Sequence, residues 1–428
     1  MPRRTIERQR TEVPAPFTNI LGFRELFGKQ NVPDLDLLRV HLANQGRLDM
    51  VAIREILDRT TIILSKESNL LLINGKVTVV GALHGHFYDL LTILKKTQTV
   101  PDTKLLFLGS YVHNGNFGVE TVIFLLTMKL LNPNQVFLLR GSQDCRTVAE
   151  LQFKQECLTK YCKLAFYWIM DAFDSLPLAA VVNGNVFCVH GGISSRLKSM
   201  QDIEKINRFR EPPKKGLFTD LLWSDLNYEE TEDGNQMQKR FSFNQDRRIS
   251  VYFSLRALFE FLYSNNFRLL VRSNQLLSEG AYFHGTTDDG TIRYPFVSLC
   301  SASNVMNYRN KGGYLFVTPT TVGLRQIAWV PQPYILPNGM NAFDWSLSFL
   351  MKKVVLILAD LLDVEEGLLQ IDIKKHKHIQ TLKSQGYPLS LLKIDRKKLA
   401  AYIAQREKER TQILRIEKMS ASENRIRN

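Results

Sequence analysis

Between residues 77 and 151 one local pattern recurs three times, and that repeat narrows the possible folds more than any other feature. A short apolar, partly β-branched run is followed by glycine with polar neighbours, and then by a helical pattern. The first copy reads VTVV, GALHG and HFYDLLTIL over residues 77–94. The second reads LLFLG, SYVHNG and NFGVETVIFLL over 105–126, and the third VFLLRG and SQDCRTVAEL over 136–151. Loops at the carboxyl ends of such strands converge on one crevice, where open α/β sheets place their ligands. The loops at 81–85, 109–115 and 141–144 are therefore expected to share a site.

The chain around this repeat is long enough, at 428 residues, to bury a substantial core, and 44% of it is hydrophobic, which excludes a disordered protein. Its five cysteines, Cys145, Cys157, Cys162, Cys188 and Cys300, are scattered without zinc spacing. They read as reduced core thiols of an intracellular protein, and the expected compartment is the cytoplasm. Residues 1–17 are basic and lack an apolar run, so they are expected to form a disordered lead rather than a secretory signal. The most apolar stretch, 347–364, is interrupted by Lys352, Lys353 and Asp360, which argues against a transmembrane segment. The net charge is +14. No basic stripe with interleaved aromatics accompanies it, so nucleic acid is not an expected partner.

Along the chain, residues 23–64 read as helices, with Gly46 as a stop. Residues 70–73 read as a strand that enters a tight hairpin at Asn74-Gly75, with 77–80 as the return strand. Residues 153–173 read as helical, 181–189 as a second hairpin, and 228–238 as a polar surface loop.

The three loops resemble the signature motifs GDxHG, GDxVDRG and GNHE of the protein serine/threonine phosphatases of the metallophosphoesterase fold. Further segments agree in order: HGGIS at 190–194, DLLWSD at 220–225, RRIS at 247–250, VRSNQ at 271–275 and LCSASN at 299–304. The likeness covers residues 20–330. NRFREPP at 207–213, FKQECLTKY at 153–161 and the apolar stretch after Phe343 resemble the calcineurin catalytic subunit in particular. The resemblance implies an α/β metallophosphoesterase sandwich of two mixed β-sheets flanked by helices. It divides the chain into a lead (1–17), a phosphatase domain (18–332), a regulatory-subunit-binding helix region (333–364) and a basic helical tail (365–428).

The family holds two divalent metals, iron with zinc or manganese, and the resemblance assigns their ligands one by one. His84 and His190 keep family ligands. Ala82, Ser110, Ser142 and Asn274 stand where the family has Asp, Asp, Asn and His. The general acid is replaced by Gln143, its orienting Asp by His113, and a phosphate-clamping Arg by Asn114. Arg247 and Arg272 remain as phosphate-binding candidates. Two divalent ions about 4 Å apart repel strongly even at an effective dielectric near 20, and no carboxylate remains between them. Gln143 has no proton to give near neutral pH. The expectation is therefore a pseudophosphatase without a metal cofactor, not an enzyme, acting as a scaffold. The alternative is an active serine/threonine phosphatase with a remodelled metal site drawing on His86 and His113. Asp144 keeps a carboxylate where the family has Glu, to support backbone amides.

Partners follow from the same resemblance. Residues 345–362, within the partner-binding stretch 341–362, are apolar on nearly every side and need cover. Phe343, Trp345, Leu347, Phe349, Leu350, Val354 and Leu358 would bind a calcineurin-B-like EF-hand protein. Partner peptides with a docking motif would add a strand at the sheet edge formed by 312–317 and 322–327, which includes Leu324 and Arg325. Residues 396–418 carry eight basic and three acidic residues among apolar ones, a pattern open to calmodulin, to a membrane surface or to plain solvation.

Overall fold

A computed structural model describes residues 16–97, 102–227, 239–288 and 291–335, together with Ser346 and Leu350. The loop expected at 228–238, most of the lead, the basic tail and nearly all of the partner-binding helix region lie outside the described residues. Phe17, assigned to the disordered lead, is tied down. Its N–H donates to the Asn44 carbonyl at 2.6 Å, and its ring packs 5.6 Å from His41.

The chain opens with β1 (Ile20–Leu21), α1 (Phe23–Phe27), α2 (Leu35–Ala43), β2 (Arg47–Leu48) and α3 (Met50–Ser65). Asp49 caps α3 by accepting from the Ala52 N–H, and Ala52, Ile53, Ile56, Leu57, Thr60 and Leu64 form its buried face at helical spacing. Next come β3 (Leu70–Ile73), β4 (Val77–Val80), α4 (Phe87–Thr97), β5 (Lys104–Phe107), α5 (Gly118–Leu131) and β6 (Val136–Leu138). The middle of the chain holds α6 (Arg146–Ala149), α7 (Phe153–Lys160), α8 (Lys163–Asp174), β7 (Ala179–Val182), β8 (Val186–Val189), α9 (Gln201–Glu204) and α10 (Leu217–Trp223). The last described elements are β9 (Asp225–Leu226), β10 (Phe241–Phe243), β11 (Val251–Phe253), α11 (Leu255–Ser264), β12 (Leu269–Arg272), β13 (Ala281–Asp288), β14 (Thr291–Leu299), β15 (Gly312–Val317) and β16 (Val322–Ile327).

Two mixed sheets form the centre. One runs β16-β15-β4-β5-β6, the other β13-β14-β12-β8-β7-β3. Strands β4, β7, β8 and β12 are buried at every residue, as strands covered on both faces must be. One core fills the space between the sheets, from Ile73, Val77, Val79, Leu106, Val271 and Leu315. A second lies between the five-stranded sheet and α3, α4, α5 and α8, and a third between the other sheet and α10 and α11. The expected sandwich with flanking helices is the observed architecture.

Two local expectations fail. β3 and β4 are not a hairpin, because β3 pairs with β7 and β4 with β5 and β15, in different sheets. Leu71, Ile73, Val77 and Val79 all face the core between the sheets, so the Asn74-Gly75 turn carries the chain across that core rather than back along one sheet. The helix expected over 153–173 breaks at Tyr161-Cys162 into α7 and α8. The second hairpin is present, with β7 and β8 antiparallel and Asn183 and Gly184 both at positive φ, as a tight turn requires.

Candidate functional site

Strands β4, β5 and β6 lie parallel and adjacent, so their following loops emerge at one end of the sheet. There they bond to one another. The Leu83 and His84 N–H groups donate to the Ser110 carbonyl at 3.1 and 2.9 Å, and Gly85 N–H to that of Tyr111 at 2.8 Å. Asp144 joins the second and third loops, its carboxylate accepting from the N–H groups of Ser110 (2.7 Å), Tyr111 (2.9 Å) and Gly141 (2.9 Å). A Cβ on Gly109 would stand 2.2 Å from the Gly141 nitrogen, and one on Gly141 would stand 2.1 Å from that of Ser110. This approach tolerates no side chain. The other sheet delivers His190 after β8, Ser273 and Asn274 after β12, and Ser301 after β14. Ser273 and Ser301 accept from the Ala82 and Gly81 N–H groups.

His190 sits at the middle. It is fully buried, and its Nδ1 donates to the Leu108 carbonyl at 2.8 Å, which leaves Nε2 as an acceptor. The hydroxyls of Ser110 and Ser142 lie 3.1 and 3.0 Å from that Nε2. Ser142 Oγ also lies 3.2 Å from Asn274 Oδ1, and Ser110 Oγ accepts from the Gln143 N–H at 3.3 Å. Ser110 can donate to His190 Nε2, and Ser142, with one proton to give, donates either to that nitrogen or to Asn274. Burial pulls the His190 pKa down to about 3, so the ring is neutral. His84, at φ +47, is likewise lowered to about 3 by burial and by the nearby His86 and His113, and its Nδ1 has no hydrogen-bond partner among the described residues. Ala82 is buried and offers only a methyl group.

The donors assembled here are two neutral imidazoles, two hydroxyls and one amide. The nearby acids are engaged elsewhere. Asp144 serves the three amides, and Asp89 accepts from Ser303 N (2.6 Å) and Oγ (2.9 Å). Asp225 binds two arginines and Asn244. Two divalent ions about 4 Å apart repel by roughly 16 kcal/mol at an effective dielectric of about 20. With no anion between them, this donor set does not fit a metal pair.

Gln143 follows Ser142 in the third loop, while His113 Nε2 bonds the Val148 carbonyl (3.0 Å) and the Asn114 N–H donates to Gln152 Oε1 (3.0 Å). His86 is not a solvated loop residue. It is buried, lies 3.5 Å from Asp89 through Nδ1, and burial lowers its pKa to about 4. Arg272 donates to Asp225 at 2.5 Å, and Arg247 bonds the same carboxylate and the Asn274 carbonyl (2.7 Å). Burial opposes ionisation of Asp225, but Arg272 and Arg247 overcome it and hold its pKa below the usual range. Sequence reasoning quoted Asp225 within DLLWSD without giving it this role. Its place at the end of a motif shared with the family, ahead of two retained arginines in the chain, is the signal the sequence offers.

β16 is a sheet edge. Arg325 is exposed on it, and Leu324 is half-buried against the core between the sheets. Of the partner-binding residues only Leu350 is described, and it is exposed. Phe343, Trp345, Leu347, Phe349, Val354 and Leu358 lie outside the described residues. Among those described, no helix is long and apolar enough to cross a membrane.

Residues 75–273, which carry all three loops, His190 and both arginines, match the calcineurin-like phosphoesterase family. The chain is 36% identical over 369 residues to serine/threonine-protein phosphatase 2B catalytic subunit A1 of Saccharomyces cerevisiae, covering 84% of this chain and 66% of that one. It thus spans just under two thirds of that relative's length. It is also 36% identical over 259 residues to the yeast serine/threonine-protein phosphatase PP2A-like PPG1, covering 59% of this chain and 70% of the relative. A solved yeast protein serine/threonine phosphatase with similarity to human phosphatase PP5 superposes with a TM-score of 0.64 at 25% identity, over 72% of this chain and all of that one. These relatives correct one expectation. A chain that is not an enzyme was expected from the missing ligands, and proteins named as phosphatases match it over most of its length.

Proposed function

The chain belongs to the calcineurin-like serine/threonine protein phosphatases of the PPP family, and on that footing we propose that it acts on phosphorylated serine or threonine in other proteins, at a remodelled centre. The observation that carries this reading is the meeting of the three glycine-flanked loops with His84, His190, Arg247 and Arg272 at one crevice. In relatives a metal pair supplies a hydroxide nucleophile and neutralises the phosphate. The donors here do not fit that pair, so the chemistry left to this chain is its own. Arg247 and Arg272 attract a phosphate, with one of their two charges offset by Asp225. His84 and His190 are neutral near pH 7, so they add hydrogen bonds and no charge. Turnover is expected to be slow.

Release of inorganic phosphate from phosphoserine and phosphothreonine peptides, with and without manganese, tests the reading. Measurable turnover lost in His84→Ala supports it. Release no faster than the blank under every condition overturns it.

Residues 341–362 are proposed to bind an EF-hand partner of the calcineurin B kind, and the β16 edge to take a docking peptide as an added strand. Trp345→Ala is expected to lower recovery of an EF-hand protein with the full chain from its native cell at least about tenfold, as loss of a buried aromatic anchor does. Equal recovery with both proteins would sink the partner claim. The basic stretch 396–418 is the segment to test for calmodulin.

A further inference from the structure

We propose that the centre is held together by a neutral hydrogen-bond hub on His190 in place of a metal pair, so that the folded protein neither contains nor gains stability from divalent ions. Three observations carry this. First, Nε2 of His190, the nitrogen a metal would need, already has the Ser110 and Ser142 hydroxyls at 3.1 and 3.0 Å. Second, the contacts are connected. Leu108 fixes the imidazole tautomer, Ser110 donates into the ring, and Ser142 donates either to the same nitrogen or to Asn274. Each member is buried or half-buried, and each hydroxyl has a partner. Third, the loops do not need an ion to hold them together, because Asp144 binds the second and third loops and the Ser110 and Tyr111 carbonyls bind the first.

Ala82 and Ser110, standing where the family has aspartates, remove the anions that two ions require. The hydroxyls of Ser110 and Ser142 then bond within the centre without leaving a buried charge unpaired. His190 therefore becomes a positioning residue for the second and third loops. The claim concerns what the centre contains. Its readouts do not use turnover, so it stands or falls separately from the activity.

The test uses the full chain, purified without added metal. Metal content is measured on the intact protein, and melting is followed in chelator and in manganese, zinc and ferrous iron. The expected result is well under one ion per chain and a melting temperature the same in all conditions. A ligand present at a hundred times its dissociation constant would raise the melting temperature by several degrees. Such a rise, or a fall on chelation, overturns the proposal. So does stoichiometric metal that His84→Ala removes. His190→Gln supplies a second reading. It is expected to lower the melting temperature equally with and without chelator, whereas a loss seen only when metal is present would assign His190 to an ion instead.

Discussion

Restoring the family side chains together, as Ala82→Asp, Ser110→Asp, Ser142→Asn, Gln143→His and Asn274→His, is expected to raise manganese-dependent phosphate release at least about 10³-fold, or about 4 kcal/mol of barrier. The backbone is already suited to it. Ser110 sits at φ +58, a conformation that aspartate tolerates better than most residues. The side chains at 110 and 142 already flank His190 Nε2, and that of 274 bonds Ser142. The same variant carries its own control. Without metal, two carboxylates are buried beside each other with no cation, at a cost of about 3–5 kcal/mol when such charge is left uncompensated. Its melting temperature should therefore fall below that of the natural protein in chelator and recover in manganese. Recovery of melting without a gain in rate would mean that the ions return but the substrate phosphate does not reach them. Failure of both would mean that the crevice lacks the geometry its loops imply.

The loops could be read from the chain because their signal is local. Each strand, glycine turn and helix lies within about twenty residues, and steric need at Gly109 and Gly141 ties residue type to shape. The metal-ligand positions could be read for the same reason, since they sit at set places within those loops. What could not be read depends on contacts far apart in sequence. The Asn74-Gly75 turn looks like a hairpin until β7, more than a hundred residues on, claims β3 for the other sheet. His86 looks like a loop histidine until α4 and the loop at Ser303 bury it against Asp89. Arg247 and Arg272 look like a bare phosphate clamp until Asp225 takes both. The hydroxyls at 110 and 142 read as lost ligands, and only the fold shows that they have gained acceptors, His190 for Ser110 and His190 or Asn274 for Ser142. The relatives add a further limit. Absent ligands describe a centre, and the names of similar chains bear on activity.

Asp144→Ala is expected to destabilise the protein by about 3–5 kcal/mol, measured as the urea midpoint, because it leaves three buried N–H groups without an acceptor. Asp144→Asn should cost less. It keeps one carbonyl oxygen, but its amide group points a donor at N–H donors. The two variants also separate packing from charge through pH. Burial raises the Asp144 pKa to about 6, against the opposing pull of the three amides and Arg140. A carboxyl whose folded pKa lies above its unfolded value binds more protons when folded. Its contribution is fully present below about pH 4, the unfolded pKa, and falls as pH rises through about 6. The natural protein should therefore lose up to roughly 3 kcal/mol from this group between pH 4 and 7, and Asp144→Asn, which does not titrate, should lose that part of the slope. At pH 7 the carboxylate is ionised and holds its three amides, so alanine still costs more than asparagine there. Equal stability of the alanine variant and the natural protein at pH 7 would mean that Asp144 does not hold the loops together.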